Sequence, residues 1–283
     1  MQNWRCSVES ANMVKELASN WPREVFEQYA LERRAARIPH FHLEMRDDIT
    51  RHLPKGKDDE ALLSFARFAS GVAENRIDEE LERLRSRSWE AEWKVHDLDQ
   101  PTDLRSRLEA HGLTAHHVEA LMVLEVDKAR AERAMAREIV IEEASGPTLD
   151  AIAQLQERVW KCRLPWLAGV LQEMTDPVHG SGVAYCARVA DQVVGSGWID
   201  FHGGSQFAQL CGGAVVEEYR GRGIYSLLFE RRVSEARARR VPFIATDAAP
   251  MSRPILERKG FRFVCHTHPM RTRPFGAGSV TRS

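Results

Sequence analysis

Val215-Val216-Glu217-Glu218-Tyr219-Arg220-Gly221-Arg222-Gly223-Ile224-Tyr225 is the stretch on which the reading of this chain turns. It joins a segment that reads as a strand, Phe207 to Val216, to one that reads as a long helix, Ile224 to Arg240. Tyr225, Leu228, Phe229, Val233 and Ala236 fall on one helical face, which can pack on a sheet. A helix start leaves several backbone N–H groups without intrahelical partners, and the aligned peptide dipoles place partial positive charge there. Gly221 and Gly223 have no Cβ to hold off an approaching oxygen, while Arg220 and Arg222 add cationic donors. The turn therefore reads as a cradle for a diphosphate. It lacks the Gly-Lys-Ser/Thr ending of a Walker A loop, and its glycine spacing misses the Rossmann GxGxxG pattern. Upstream, Gly212 and Gly213 interrupt the strand, as glycines do at a bulge or a close backbone approach.

Outward from this turn the C-terminal half has a clear rhythm. Ile139-Val140-Ile141 reads as a strand, Leu149 to Trp160 as a helix, and Val183 to His202 as two strands about Asp191-Gln192. After the long helix come a strand from Phe243 to Thr246, a short helix from Ser252 to Lys259 ended by Gly260, and the final strand or strands from Phe261 to Met270. The N-terminal half begins with helices over residues 8–37, broken at Trp21-Pro22. An ambiguous stretch follows in which Phe41, Leu43 and Met45 alternate and Pro54-Lys55-Gly56-Lys57 reads as a loop. Residues 71–87 read as a charged, solvated helix. Glu92 to Val95 reads as a strand, Leu104 to His111 as a helix closed by Gly112, and Leu121 to Val126 as a strand, before a charged run to Arg137. Aligning Gly112 with Gly260 superposes Val95 on Phe243, Leu108 on Leu256 and Leu113 on Phe261, so the N-terminal half reads as a worn relative of the C-terminal half.

Composition narrows the class. Hydrophobic residues make up 43% of 283 and charged residues 29%, which is ordinary globular material. Forty Lys and Arg against forty-one Asp and Glu leave a formal charge of -1, with no global attraction to nucleic acid or an anionic membrane. Five scattered cysteines, never spaced as CxxC, argue against a disulfide framework or a zinc site and fit a reducing compartment. No apolar run approaches the roughly 18 residues of a membrane span. The expectation is a cytoplasmic protein of enzyme size.

Val215 to Tyr225 resembles motif A of the GNAT acyltransferase superfamily, whose pattern is Arg/Gln-x-x-Gly-x-Gly/Ala. Arg220 and Gly223 match, whereas Tyr225 stands where Gly or Ala is usual. The element order from Ile139 to Met270 resembles the whole GNAT fold, and Lys259-Gly260-Phe261 resembles the Gly-Phe that follows its fourth helix. Residues 89–127 resemble the last third of a second, degenerate unit that lacks the motif, as in tandem members. The resemblance implies an α/β (α+β) protein: a mixed, largely antiparallel sheet flanked by helices, with the degenerate unit N-terminal. Expected divisions are 1–130 for helices plus the degenerate unit, 137–273 for the GNAT unit, and 274–283 for a flexible tail.

The resemblance further implies direct acyl transfer from acetyl-CoA, or another acyl-CoA, to the amine of a small molecule. Val215, Val216, Arg220, Gly221, Arg222, Gly223, Ile224 and Tyr225 would hold the donor, and the strand at Gly213 to Val215 would pair with the pantetheine amides. A backbone N–H there would polarise the thioester. Asp247, at the end of its strand, is the candidate catalytic base, with a turn-capping role as the plainer alternative; Asp200, His202 and Glu217 are lesser candidates. Leu256 and Ala249 replace the family's usual tyrosine and asparagine, so the departing thiolate would be protonated by solvent, Tyr225 or another group, or else catalysis would be weak.

Cys211 reads as a packed strand residue and not a nucleophile. The HxH pairs His40/His42 and His266/His268 lack further ligands, so no metal is expected. Trp160 and Trp166 would line the acceptor pocket or pack in the core, and the arginines from Arg231 to Arg240 would form a solvated face. Two other functions stay open at this point. One is an aminoacyl-tRNA-dependent transferase, the only reading in which a nucleic acid is a partner. The other is a non-catalytic acyl-CoA sensor.

Overall fold

The computed structural model describes residues 21–39, 41–55, 60–130 and 138–272. The first expected N-terminal helix, His40, Gly56-Lys57, the charged run from 131 and the tail from Pro274 lie outside the described residues. Helix α1 (Arg23–Arg34) follows Trp21-Pro22 and buries Val25, Phe26, Tyr29 and Ala30. The ambiguous stretch resolves into β1 (Phe41–Arg46), β2 (Ile49–Pro54) and β3 (Ala61–Ser64). Then come α2 (Ala73–Arg85), β4 (Ala91–His96), α3 (Leu104–Ala110), a two-residue β5 (Thr114–Ala115) and β6 (Glu119–Glu125). The run Ala120-Leu121-Met122-Val123-Leu124 is buried throughout, as a central strand covered on both faces requires.

The second half holds β7 (Ile139–Glu143), α4 (Pro147–Trp160), α5 (Leu167–Met174), β8 (Gly182–Val189), β9 (Gln192–Phe201), β10 (Phe207–Val215), α6 (Ile224–Ala238), β11 (Phe243–Ala248), α7 (Arg253–Arg258) and β12 (Arg262–Arg271). Pro147 opens α4 at a position whose N–H would have no helical acceptor anyway. Helix α5 is unannounced in the sequence, being short and interrupted by Gly169; it buries Leu167, Leu171 and Met174.

All strands join one sheet in the order β1-β2-β3-β4-β12-β6-β11-β10-β9-β8-β7, with β5 beside β12. Among the described strands only β3/β4 and β10/β11 are parallel, so the sheet is mixed and largely antiparallel, as expected. The two parallel pairs extend the internal likeness. Past them, α3 and α7 end alike: Leu113 N donates to Leu108 O at 3.0 Å and Phe261 N to Leu256 O at 3.1 Å, around Gly112 (φ 88) and Gly260 (φ 102). Only glycine takes such angles at little cost. The closing strands are exchanged: β6 lies against β11, while β12 lies against β4. Strands β6 and β12 pair with each other at the centre.

Helix α1 covers Leu121, Val123, Phe207, Phe243 and Ala245 on one face of the centre. Helices α6 and α7 cover the other through Phe229, Val233, Ala236 and Leu256, packed on Ile199, Leu210 and Ile244. Each such fully buried Leu or Phe contributes about 1.5–3 kcal/mol.

Candidate active site

The turn before α6 has the predicted shape. Gly221 (φ 75) and Gly223 (φ 82) are left-handed, and Gly223 occupies the helix N-cap with no side-chain cap. A side chain in that conformation costs roughly 1–2 kcal/mol. A Cβ added to Gly221 would meet nothing within 4 Å, so the space above the turn is open. Val215, Val216 and Ile224 are buried together with Leu228 and fix the strand-to-helix angle. The first-turn amides, those of Ile224 and Tyr225 among them, have no intrahelical acceptors. The arginines are less free than the sequence suggests. Arg220 Nε donates to Val215 O at 3.1 Å, and Arg222 Nη2 donates to Glu218 O at 3.3 Å with its guanidinium over the Tyr219 ring. They brace the loop and leave its positive mouth to the backbone.

Beside the turn the sheet opens. Strands β10 and β11 pair only as far as Gln209 and Ala245, and Thr246 Oγ1 makes a last link to Leu210 O at 2.9 Å. Both strands then run on unpaired with each other. On the other flank the β9 register shifts between Cys211 and Ala214. Gly212 (φ 61) is confined there, since a Cβ would lie 1.7 Å from Trp198 Cζ3. The bulge is gripped from two helices. Gln156 Nε2, on α4, donates to Gly212 O at 2.7 Å and Ser196 Oγ at 2.8 Å. Arg232 Nη1, on α6, donates to Cys211 O at 3.1 Å. Arg232 is wholly buried, so the expected solvated row of arginines is corrected at this member: Gly197 has no Cβ, and the guanidinium fills that space. The Tyr225 ring lies against Gly213.

Asp247 shares a strand face with Phe243 and Ala245, the side covered by α1. It does not cap the next turn. Its Oδ2 lies 3.0 Å from Lys94 Nζ on β4, and Lys94 also donates to Glu119 Oε2 on β6 at 3.2 Å. Burial works to raise the Asp247 pKa, but Lys94 and then His96 hold it below the ordinary carboxylate value. Its Oδ1 is buried without a hydrogen-bond partner among the described residues. Glu119 is pushed up, by burial first and by Asp247, against the pull of Lys94.

The lesser candidates divide. Asp200 accepts from Ser181 Oγ at 2.5 Å and lies 3.6 Å from His202 Nε2. His202 Nε2 faces Arg33 Nη1 of α1, and burial with that charge pushes its pKa down to about 4. Tyr29 Oη donates to Gln209 Oε1 at 3.2 Å above the same floor. Glu217 is exposed in the turn. The Cys211 thiol is pushed up to about 12, chiefly by burial, and so is held protonated. Leu256 is packed in the α6/α7 core.

Trp160 and Trp166 are 52% and 41% exposed, which excludes core packing for both. His266 Nδ1 and His268 Nε2 meet the Asp97 carboxylate at 3.1 and 2.8 Å. Among the described residues, no three ligating side chains gather as a metal site would need. A pocket of about 510 Å³ beside Arg23, Phe26 and Arg67 holds none of the candidate residues. Lys94, Glu119, Gln156 and Arg232 carried no sequence signal beyond their place in strands and helices.

Residues 149–261 match the model of the acetyltransferase (GNAT) family. This segment is a GNAT domain. The solved structures similar to the chain share its fold. A GCN5-related N-acetyltransferase from Kribbella flavida aligns with TM-score 0.64 at 11% identity, over 82% of this chain and 89% of that one. A GCN5-related N-acetyltransferase from Sphaerobacter thermophilus aligns with TM-score 0.55 at 16% identity, over 79% and 76%. A tandem GNAT protein from the clavulanic acid biosynthesis pathway aligns with TM-score 0.57 at 14% identity, over 79% and 78%. No curated protein matches the sequence significantly. The matched segment spans the bulge, the glycine turn and α7, and the structural alignments extend beyond it into the N-terminal half. No helix among the described residues is long and apolar enough to cross a membrane.

Proposed function

We propose that the protein is an acyl-CoA-dependent N-acyltransferase, most simply an acetyltransferase, that acts on the amine of a small molecule. One observation carries this reading: an open, glycine-lined helix mouth stands directly beside a strand that has left its neighbour and bulged. The mouth takes the diphosphate of coenzyme A on the amides of residues 221–225. The free edge of β10 at Gly213 to Val215 takes the pantetheine arm as an added strand. The thioester then lies in the opening between β10 and β11, where a bulge amide supports the developing oxyanion.

Asp247 reaches the same opening from the α1 side. Held ionised by Lys94, it is a weaker base than a free carboxylate. Its role in this proposal is to hold the acceptor's N–H through Oδ1 while the proton passes to solvent. Calorimetry with coenzyme A and acetyl-CoA tests the donor site, and thiol release from acetyl-CoA over an amine library tests transfer. Absence of binding by folded protein would remove the proposal; binding without release to any amine would leave the sensor function in its place.

A further inference from the structure

Arg232 is wholly buried, and among the described residues no carboxylate pairs with it. Its Nε and Nη1 donate to Leu228 O and Cys211 O at 2.9 and 3.1 Å. Nη2 has no hydrogen-bond partner of standard geometry among the described residues. Taking a guanidinium out of water costs several kcal/mol unless other groups offset it. What stands beside Nη2 is therefore informative. A Cβ built on Gly213 would lie 3.6 Å from Nη2, 2.8 Å from Tyr225 Cε2 and 3.6 Å from Tyr225 Cζ. The buried cation and the hydroxyl-bearing end of the Tyr225 ring thus meet over the bulge. Tyr225 is partly exposed. Leu256, in the same α6/α7 core, has no proton to give.

We propose that Tyr225 is the acid that protonates the departing thiolate, with Arg232 as the positioning residue that steadies the phenolate left behind. This rests on the acyl-thioester reading above. The amine lone pair forms the new C–N bond, and the C–S bond breaks with its electron pair on sulfur. The Tyr225 hydroxyl proton passes to that sulfur. The nitrogen's surplus proton leaves past Asp247 to solvent, and a solvent proton restores the phenol. One thioester and one amine give one amide and one thiol. Burial raises the Tyr225 pKa while the Arg232 charge opposes it, so the resting phenol carries the proton it must donate. Asp247 and Tyr225 serve the opening from opposite faces of the sheet.

The test is Tyr225→Phe in the full chain, which keeps the ring and its packing. Thiol release from acetyl-CoA is followed with hydroxylamine, and with water alone, as probe nucleophiles across pH, alongside calorimetry with coenzyme A. The expected result is coenzyme A affinity within about twofold of wild type, kcat at least about tenfold lower, and loss of the alkaline limb of the wild-type pH profile. Arg232→Lys is expected to shift that limb and lower kcat while binding persists. Unchanged kcat in Tyr225→Phe, or a loss with the alkaline limb intact, overturns the assignment. So does a wild type that binds coenzyme A but releases no thiol. A wild type that binds no coenzyme A defeats the acyl-thioester reading itself, a distinct result.

Discussion

Lys94 Nζ and Asp247 Oδ2 stand 3.0 Å apart although 153 positions separate them in the chain. One belongs to the N-terminal half and the other to the GNAT domain. The ammonium also serves Glu119, so two carboxylates share one cation at the mouth of the splayed strands.

Replacing Lys94 by Met leaves both carboxylates without their counter-charge. Removing one partner of a fully buried pair costs about 3–5 kcal/mol, and these side chains keep some exposure, so about 1–3 kcal/mol is expected. The sign with pH follows from the depressed Asp247 pKa: the stabilisation is present above the unfolded value near 3.9 and is lost as pH falls through the folded one. Urea unfolding at pH 7 and pH 3 should show the deficit shrinking in acid. An equal deficit at both would assign the effect to packing alone.

Gly223→Asp places a side chain and a negative charge at the helix mouth. A rise of at least about a hundredfold in the Kd for coenzyme A is expected, together with about 1–2 kcal/mol of lost stability from the left-handed backbone. Gly223→Ala carries the strain and a Cβ without the charge and should lose less affinity than Gly223→Asp. Calorimetry on both variants separates the two effects, and unchanged affinity in the Asp variant would count against a diphosphate at this turn.

Gly212→Ala should be damaging for a steric reason. Its Cβ would fall 1.7 Å from Trp198 Cζ3, so the indole or the bulge must move. Overpacking of this kind costs about 1–3 kcal/mol, plus the cost of a left-handed alanine. A lower Tm with altered tryptophan fluorescence is expected, and a variant as stable as wild type would show that the bulge tolerates displacement.

His52 and His202 are each pushed down to about 4, first by burial. Depressed folded pKa values mean that the unfolded chain binds more protons between about 4 and 6.5, so stability falls as pH drops through that window. Each histidine can contribute on the order of 2–3 kcal/mol to this slope. His202→Gln, which can still accept from Arg33, should flatten the dependence between pH 6.5 and 4. An unchanged slope would show that His202 is already protonated in the folded state.

The sequence disclosed what is local. Gly112 and Gly260 mark helix ends because the left-handed angle is needed at that residue, and the glycine turn is legible for the same reason. Strand β2 hid itself: all six residues are buried, so Ile49-Thr50-Arg51-His52-Leu53-Pro54 shows no alternation. Its polar members are tolerated only through distant partners. Arg51 Nε donates to Glu80 at 2.5 Å, and His52 Nε2 bonds to Ala36 O. Helical periodicity places Arg232 on a solvated face because it does not disclose that Gly197 leaves room beneath it. Asp247 was visible as a strand-end carboxylate, but Lys94 enters its surroundings only through the exchanged strands.

That exchange has a consequence for how the polypeptide comes into being. While β12 is still unsynthesised, β4 has no neighbour on one side and β6 lacks one of its two partners, the other, β11, arriving only with residues 243–248. Residues 61–125 must therefore wait, their edges exposed, until position 271 has left the ribosome. Such long-range closure is slow and leaves nascent chains vulnerable to mispairing. Severing the chain in the middle would yield two fragments that each lack a strand supplied by the other, so the two halves are expected to mature, and to melt, as one object.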